Sequence, residues 1–324
     1  MQMTNLEGFP KKTKEIKTEI AKRISGMDRT IEAILVCMTA RGHVLLEGMP
    51  GLAKTRLARC FAEILNADFH RIQFTPDLLP ADLIGTNIFS PKTGEFSIRK
   101  GPIFTNILLA DEINRAPAKV QSALLQCMEE GQVTIGDSTF DLTSPFFVLA
   151  TQNPIDQEGT YNLPEAQMDR FLMKVKIPYP SSKEESSILK EHGKVSFQHN
   201  NLESILNKME MTAWAEAIDT VFIEDKLIDY IVSLVRNTRP EFTGSKDLKT
   251  YIAHGGSPRA SLAFLKIAKS VAILEGRDFV IPEDIKKFAV EILSHRILKS
   301  VDAFSESITE MDLVHRVLEI TPVP

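Results

Sequence analysis

Residues 46–56 read Leu-Glu-Gly-Met-Pro-Gly-Leu-Ala-Lys-Thr-Arg, close to the phosphate-loop pattern G-x-x-x-x-G-K-[ST] but with Ala53 where the last glycine belongs. In such a loop the backbone N–H groups turn toward a chain of phosphates, and the N-terminus of the following helix adds positive potential. Gly48 and Gly51 can supply unusual backbone angles, and Pro50 stiffens the turn. Met49, Leu52 and Ala53 complete the candidate cradle, with Arg56 just beyond it. Lys54 would reach the β- and γ-phosphates, and Thr55 would bind Mg²⁺. Position 53 is where loop becomes helix, so the expectation there is a right-handed α backbone, in which alanine is favoured and glycine is not required.

The run Ile107-Leu108-Leu109-Ala110 is followed at once by Asp111 and Glu112. A phosphate loop needs a metal-side carboxylate on a neighbouring strand. Asp111 would hold the Mg²⁺ shell through water, while Glu112 would orient or deprotonate an attacking water. Another apolar run ends in Ala150-Thr151-Gln152-Asn153-Pro154. It puts the Asn153 amide at a strand C-terminus, where it can position water or a γ-phosphate oxygen without adding charge. The loop and these two motifs each have a plainer reading: a glycine-rich turn with an incidental lysine, two solvated acids at a strand end, and an Asn-Pro turn. Together they point to hydrolysis of a nucleoside triphosphate by water. A guanine-reading N-K-x-D string does not occur, Asn207-Lys208-Met209-Glu210 being the nearest, which disfavours GTP.

The elements that must position these residues follow from the patterning. Five apolar, β-branched or aromatic runs lie at 43–47, 69–74, 107–110, 146–151 and 173–177. Leu57, Phe61, Ile64 and Leu65 repeat at helical spacing after the first, and Val120, Ala123, Leu124, Cys127 and Met128 after the third. Strand and helix in alternation predict an α/β fold, a parallel sheet with helices on both faces. Two inserts interrupt it, each reading as a hairpin: one within about 84–103, turning around Lys92-Thr93-Gly94, and one at 132–142, turning at Gly136-Asp137. After residue 181 the strand-type runs give way to helical patterns such as 225–236 and 257–276. A nucleotide-binding domain over 1–181 and a helical domain over 182–324 are therefore expected.

Composition narrows the function classes. Of the 324 residues 43% are hydrophobic and 25% charged, an ordinary globular balance. No segment approaches the roughly 18 consecutive apolar residues of a membrane span. The polar, lysine-rich start lacks the apolar core of an export signal, and Cys37, Cys60 and Cys127 form no C-x-x-C pair, so buried thiols in the reducing cytoplasm are expected. A net charge of −5 argues against a nucleic-acid partner.

Four strings in this order, LLEGMPGLAKTR, LLADEINRAPAKVQSALLQCMEEGQVTI, PFFVLATQNPIDQEGTYNLPEAQMDRFLMK and GGSPRASL, resemble the MoxR family of AAA+ ATPases, in the clade that includes magnesium chelatase. The likeness runs from about residue 15 to 315. It implies a P-loop core with a five-stranded parallel sheet in the order 5-1-4-3-2, an all-α lid, and an ATP-driven ring, a hexamer, that remodels protein partners. It also implies roles by position. Lys54 and Thr55 match Walker A, Asp111 and Glu112 Walker B, and Asn153 sensor 1. Arg170, in AQMDRF, matches the arginine finger and Arg259, in SPRA, sensor 2, acting on its own nucleotide or on the neighbour's. Ile24, Ser25 and Gly26, in KRISGMD, match the segment against the adenine. In this family the glycine before the lysine is often alanine, as at Ala53. Ser257 as N-cap with Pro258 at the first helical position would hold Arg259 at a helix start.

The leading reading is thus an ATP- and Mg²⁺-dependent hydrolase working as a chaperone-like motor. Alternatives are a nucleotide-switched binding module with slow hydrolysis and, disfavoured by the charge balance, a DNA-dependent motor. MoxR-like proteins commonly act with von Willebrand factor A proteins. The D-x-S-x-S metal motif of those proteins does not occur in this chain, so such a partner would be a separate polypeptide.

Overall fold

Apolar runs alternating with amphipathic patterns must bury both faces of a sheet under helices. The computed structural model, which describes residues 6–92, 94–154, 161, 163–192 and 202–324, shows how. Helices α1 (Gly8–Ala21) and α2 (Asp28–Thr39) precede β1 (Val44–Glu47), which leads through the glycine-rich loop into α3 (Lys54–Ile64). Strand β2 (Phe69–Gln73) and α4 (Pro80–Ile84) come next, then a hairpin of β3 (Gly85–Ser90) and β4 (Glu95–Lys100). After β5 (Ile107–Asp111) and α5 (Ala118–Glu130) comes a second hairpin, β6 (Gln132–Ile135) and β7 (Ser138–Asp141). Strand β8 (Phe147–Gln152), α6 (Glu165–Met168) and β9 (Met173–Lys176) complete this part.

The five core strands lie side by side as β2-β5-β8-β1-β9, all parallel. Counted along the chain, that is the expected order 5-1-4-3-2 read from its other edge. Both inserts form antiparallel hairpins, with Gly94 and Gly136 left-handed in their turns. Thr93, expected in the first turn, lies outside the described residues, as do 155–160 and 162 of the third resembling string.

Alternation along the strands divides the core. Val44, Leu46, Ile107, Leu109, Phe147 and Leu149 belong to one apolar cluster, and Leu45, Leu108, Ala110, Val148 and Ala150 to the other. The first cluster continues into the C-terminal lid, taking in Leu234, Phe264, Ile267 and Phe288.

The helical part opens with α7 (Ser182–His192). It contains α8 (Lys208–Ala217), α9 (Asp225–Asn237), α10 (Lys246–Tyr251), α11 (Pro258–Leu274), α12 (Pro282–Lys286), α13 (Ala289–Leu293), α14 (Val301–Ser305) and α15 (Glu310–Ile320). To these helices it adds one short antiparallel pair, β10 (Ile252–His254) with β11 (Leu298–Lys299). Helix α11, apolar on most of its circumference, packs against α2, α9, α12 and α13.

Candidate active site

Strand register sets the site. Gln73 pairs with Asp111, Ala110 with Ala150, and Glu47 with Gln152, so the C-terminal ends of β2, β5, β8 and β1 lie along one edge of the sheet. In open parallel sheets that edge is where ligands gather. A cleft of about 580 Å³ opens there, lined by Pro50 through Arg56, by Asp111, Glu112 and Asn153, and by Ile24, Ser25 and Gly26. Pro178, Pro180 and Ile188 add an apolar wall beside the Ile24 segment. Gly48 and Met49 stand behind the lining, and their carbonyl oxygens accept from Lys54 Nζ, Met49 O at 3.3 Å. Burial lowers the Lys54 pKa, and the carboxylates of Asp111 and Glu112 oppose that shift.

The loop departs from the expected backbone at one residue. Ala53 is left-handed, with φ 52° and ψ 19°, not right-handed α. The chain must curl tightly to aim successive N–H groups at one point, and it does so with left-handed residues at Gly51 (φ 87°) and Ala53. At Gly48 the need is space: a Cβ would lie 3.1 Å from Ile177 Cβ.

Asp111 is buried and held on both oxygens. Thr151 Oγ1 donates to Oδ1 at 2.6 Å, and Thr55 Oγ1 lies 3.5 Å from Oδ2. Arg71 also holds Oδ2, with Nε at 3.0 Å. Glu112 is left-handed too (φ 56°), its N–H donating to Thr151 Oγ1 at 2.8 Å. Its carboxylate accepts from Gln73 Nε2 at 2.9 Å and Arg115 Nη1 at 3.0 Å. Asn153 is buried at the end of β8, its carbonyl accepting from Asn114 Nδ2 at 3.2 Å. Arg71, Gln73 and Thr151 were not singled out from the sequence. The usable signal was the pair Arg71 and Gln73, two apart and so on one face of a strand that ends beside Asp111.

Arg170 and Arg259 do not reach this cleft. They line a second cavity of about 180 Å³, where one carboxylate, Glu129, pairs with both: Arg170 Nε lies 3.2 Å from its Oε2, and Arg259 Nη2 bonds its Oε1. The expected helix start is there. Ser257 caps α11 with Pro258 at its first position, and its hydroxyl accepts from Arg259 N at 3.1 Å while donating to Asp169 Oδ2 at 2.7 Å. Asp169 in turn holds the buried Arg296 guanidinium at 2.6 Å.

Comparison with known proteins agrees with the fold. The model of the ATPase family associated with various cellular activities (AAA) matches residues 43–173, and that of the AAA lid domain matches 245–317. Chaperone MoxR1 of Mycobacterium tuberculosis is 46% identical over 307 residues, covering 94% of this chain and 81% of that protein. Protein MoxR of Methylorubrum extorquens is 30% identical over 328 residues, covering 94% and 93%. A crystal structure of a protein from Cytophaga hutchinsonii superposes with a TM-score of 0.92 at 44% identity, covering 99% of this chain and 97% of that one. The two family models follow one another as sheet and lid do in the fold, and the relatives extend along nearly the whole chain. This chain belongs to the MoxR family of AAA+ ATPases.

Proposed function

We propose that the protein hydrolyses ATP as a ring of like subunits, a hexamer, and uses the cycle to remodel protein partners. The observation that carries this reading is a division within one chain. Lys54, Thr55, Asp111, Glu112 and Asn153 share one cleft, while Arg170 and Arg259 share another. A neighbouring subunit is then the geometric means of bringing those arginines to a γ-phosphate.

Within the cleft, the loop N–H groups and Lys54 bind the phosphates, and the Ile24–Gly26 segment faces the base. Asn153 and Glu112 hold the attacking water, Glu112 taking its proton. The Thr55 hydroxyl and Asp111 carboxylate are hard oxygen donors converging within 3.5 Å, a set that suits Mg²⁺. Bound there, Mg²⁺ would neutralise charge on the β- and γ-phosphates. Residues 1–181 would carry the chemistry and 182–324 would act as the lever. A separate von Willebrand factor A protein is the partner to test first. The buried, unbridged Cys37, Cys60 and Cys127 suit a reducing cytoplasm; burial pushes the thiols of Cys60 and Cys127 up to about 11.

The test is steady-state turnover against protein concentration with Mg²⁺ present. Turnover per subunit should rise as rings form. Lys54→Ala and Glu112→Gln should each abolish it, and Arg170→Ala should lower it by about 10³-fold or more. Mixing Glu112→Gln with Arg170→Ala subunits should restore activity, since an intact cleft then meets an intact arginine. Turnover that does not depend on concentration, with no rescue in the mixture, would sink the ring.

A further inference from the structure

The two oxygens of Asp111 are not equivalent. Oδ1 is taken by the Thr151 hydroxyl at 2.6 Å. Oδ2 is the oxygen turned to Thr55 and Arg71, both of which line the cleft. Arg71 holds it through a hydrogen bond from Nε at 3.0 Å and an ion-pair contact from Nη2 at 2.9 Å. The same Nη2 donates at 2.7 Å to Gln73 Oε1, and the Gln73 amide nitrogen donates at 2.9 Å to Glu112. One guanidinium is thus fastened to the metal-facing oxygen and, through a single amide, to the second carboxylate. The Arg71 side chain is 44% exposed, so it is no part of the apolar core.

We propose that Arg71 is a positioning residue that supplies the metal's charge at Asp111 in advance, and that it must be displaced when Mg²⁺ arrives, so that it sets how much Mg²⁺ the site requires. The proposal rests on the nucleotide-binding reading above. The Arg71 guanidinium brings a cation and N–H donors, but no acceptor, to that oxygen. For the water shell of a metal to reach Oδ2, the hydrogen bond and the ion-pair contact from Arg71 must open, and the two cations repel one another across the remaining distance. While Asp111 is held in this way, its charge neither swings away nor repels an incoming triphosphate. The residue therefore steadies the carboxylate and, in doing so, raises the metal concentration needed to engage it.

The experiment is a Mg²⁺ titration of fluorescent ATP-analogue binding by the full-length protein, starting from EDTA. In Arg71→Met and Arg71→Gln, both neutral, half-saturation should move to lower Mg²⁺ by about three- to thirty-fold, while binding in EDTA weakens. Arg71→Lys keeps the charge and should stay within about twofold of the unmodified protein. Loss of packing alone would weaken binding at every Mg²⁺ concentration and would not move half-saturation to lower Mg²⁺. Neutral variants that need the same or more Mg²⁺, or a lysine variant that shifts as far as methionine, would overturn the proposal and leave the nucleotide reading standing. Failure of the unmodified protein to bind the analogue, with or without Mg²⁺, would overturn both.

Discussion

Ala53 shows how much a single backbone angle decides. In the left-handed region its Cβ crowds the following carbonyl, at a cost of about 1–2 kcal/mol that glycine would not incur. Glycine also loses more freedom on folding, about 0.4–1 kcal/mol, so Ala53→Gly should be net stabilising by about 0.5–1 kcal/mol, read as a small rise in Tm, with nucleotide affinity unchanged within twofold. A fall in Tm would contradict the left-handed assignment. Glu112 is the other left-handed non-glycine residue among those lining the cleft, and here the angle carries chemistry. It turns the carboxylate out of the strand direction toward Gln73 and Arg115 and leaves its N–H on the Thr151 hydroxyl, which also fixes Asp111. Non-glycine residues stay in this region only where their surroundings hold them, as these hydrogen bonds do.

At the scale of elements, the junction between sheet and lid is the feature with consequences. Residues 169 and 170 follow α6, and residues 257–259 open α11. Asp169 joins the two through Ser257 and Arg296, and Glu129, at the end of α5, joins them through Arg170 and Arg259. Arg296 is nearly wholly buried, and three of its remaining bonds go to the carbonyls of Leu172 at 3.2 Å, Asp169 at 3.2 Å and Phe171 at 2.7 Å. Burial lowers its pKa and the Asp169 carboxylate opposes that shift, so Asp169 is the counter-charge of a buried guanidinium. Asp169→Ala should therefore cost about 3–5 kcal/mol by leaving a buried charge unpaired, seen as a lower urea midpoint. The exposed Glu129 pairs are worth far less, so Glu129→Gln should move that midpoint by no more than about 1 kcal/mol. Equal losses in the two variants would mean that the junction is held by packing and not by the buried ion pair.

For the whole molecule, one apolar cluster runs from the sheet into the lid, so the two parts share a core and acid should loosen them together. Two buried histidines lie in this region of the structure. His43 accepts from Val148 N at 3.0 Å through Nδ1 and donates through Nε2 to Met128 O at 3.1 Å, and burial lowers its pKa to about 4. His295, bonded to Phe171 O at 3.2 Å, is lowered well below 6.5 by burial and by the neighbouring Arg296. Both are neutral when folded, whereas the unfolded chain binds their protons near pH 6.5. Stability is then greatest above about 6.5 and declines as pH falls toward 4, by up to about 1.4 kcal/mol per pH unit for each histidine. Denaturant midpoints measured from pH 7 to 4.5 should follow that slope, and a flat profile would refute it. The same scale separates what each level of description could decide. The five strands, both hairpins, the strand-to-helix turn at 48–55, the placement of Asp111, Glu112 and Asn153 at strand ends and the cap at Ser257 were legible in the sequence, because period-2 and period-3.6 patterning and turn chemistry act between residues close in the chain. The left-handed angle at Ala53 was not, since alanine is a good helix former and only the closure of the loop against the sheet imposes the other geometry. Nor were Arg71, Gln73 and Thr151, which take their meaning from parallel register with strands tens of residues away. The sequence by itself determined which groups were present; the tertiary structure decided which carboxylate each cation faces and that Arg170 and Arg259 lie apart from the cleft, because those contacts join segments that only the folded core brings together.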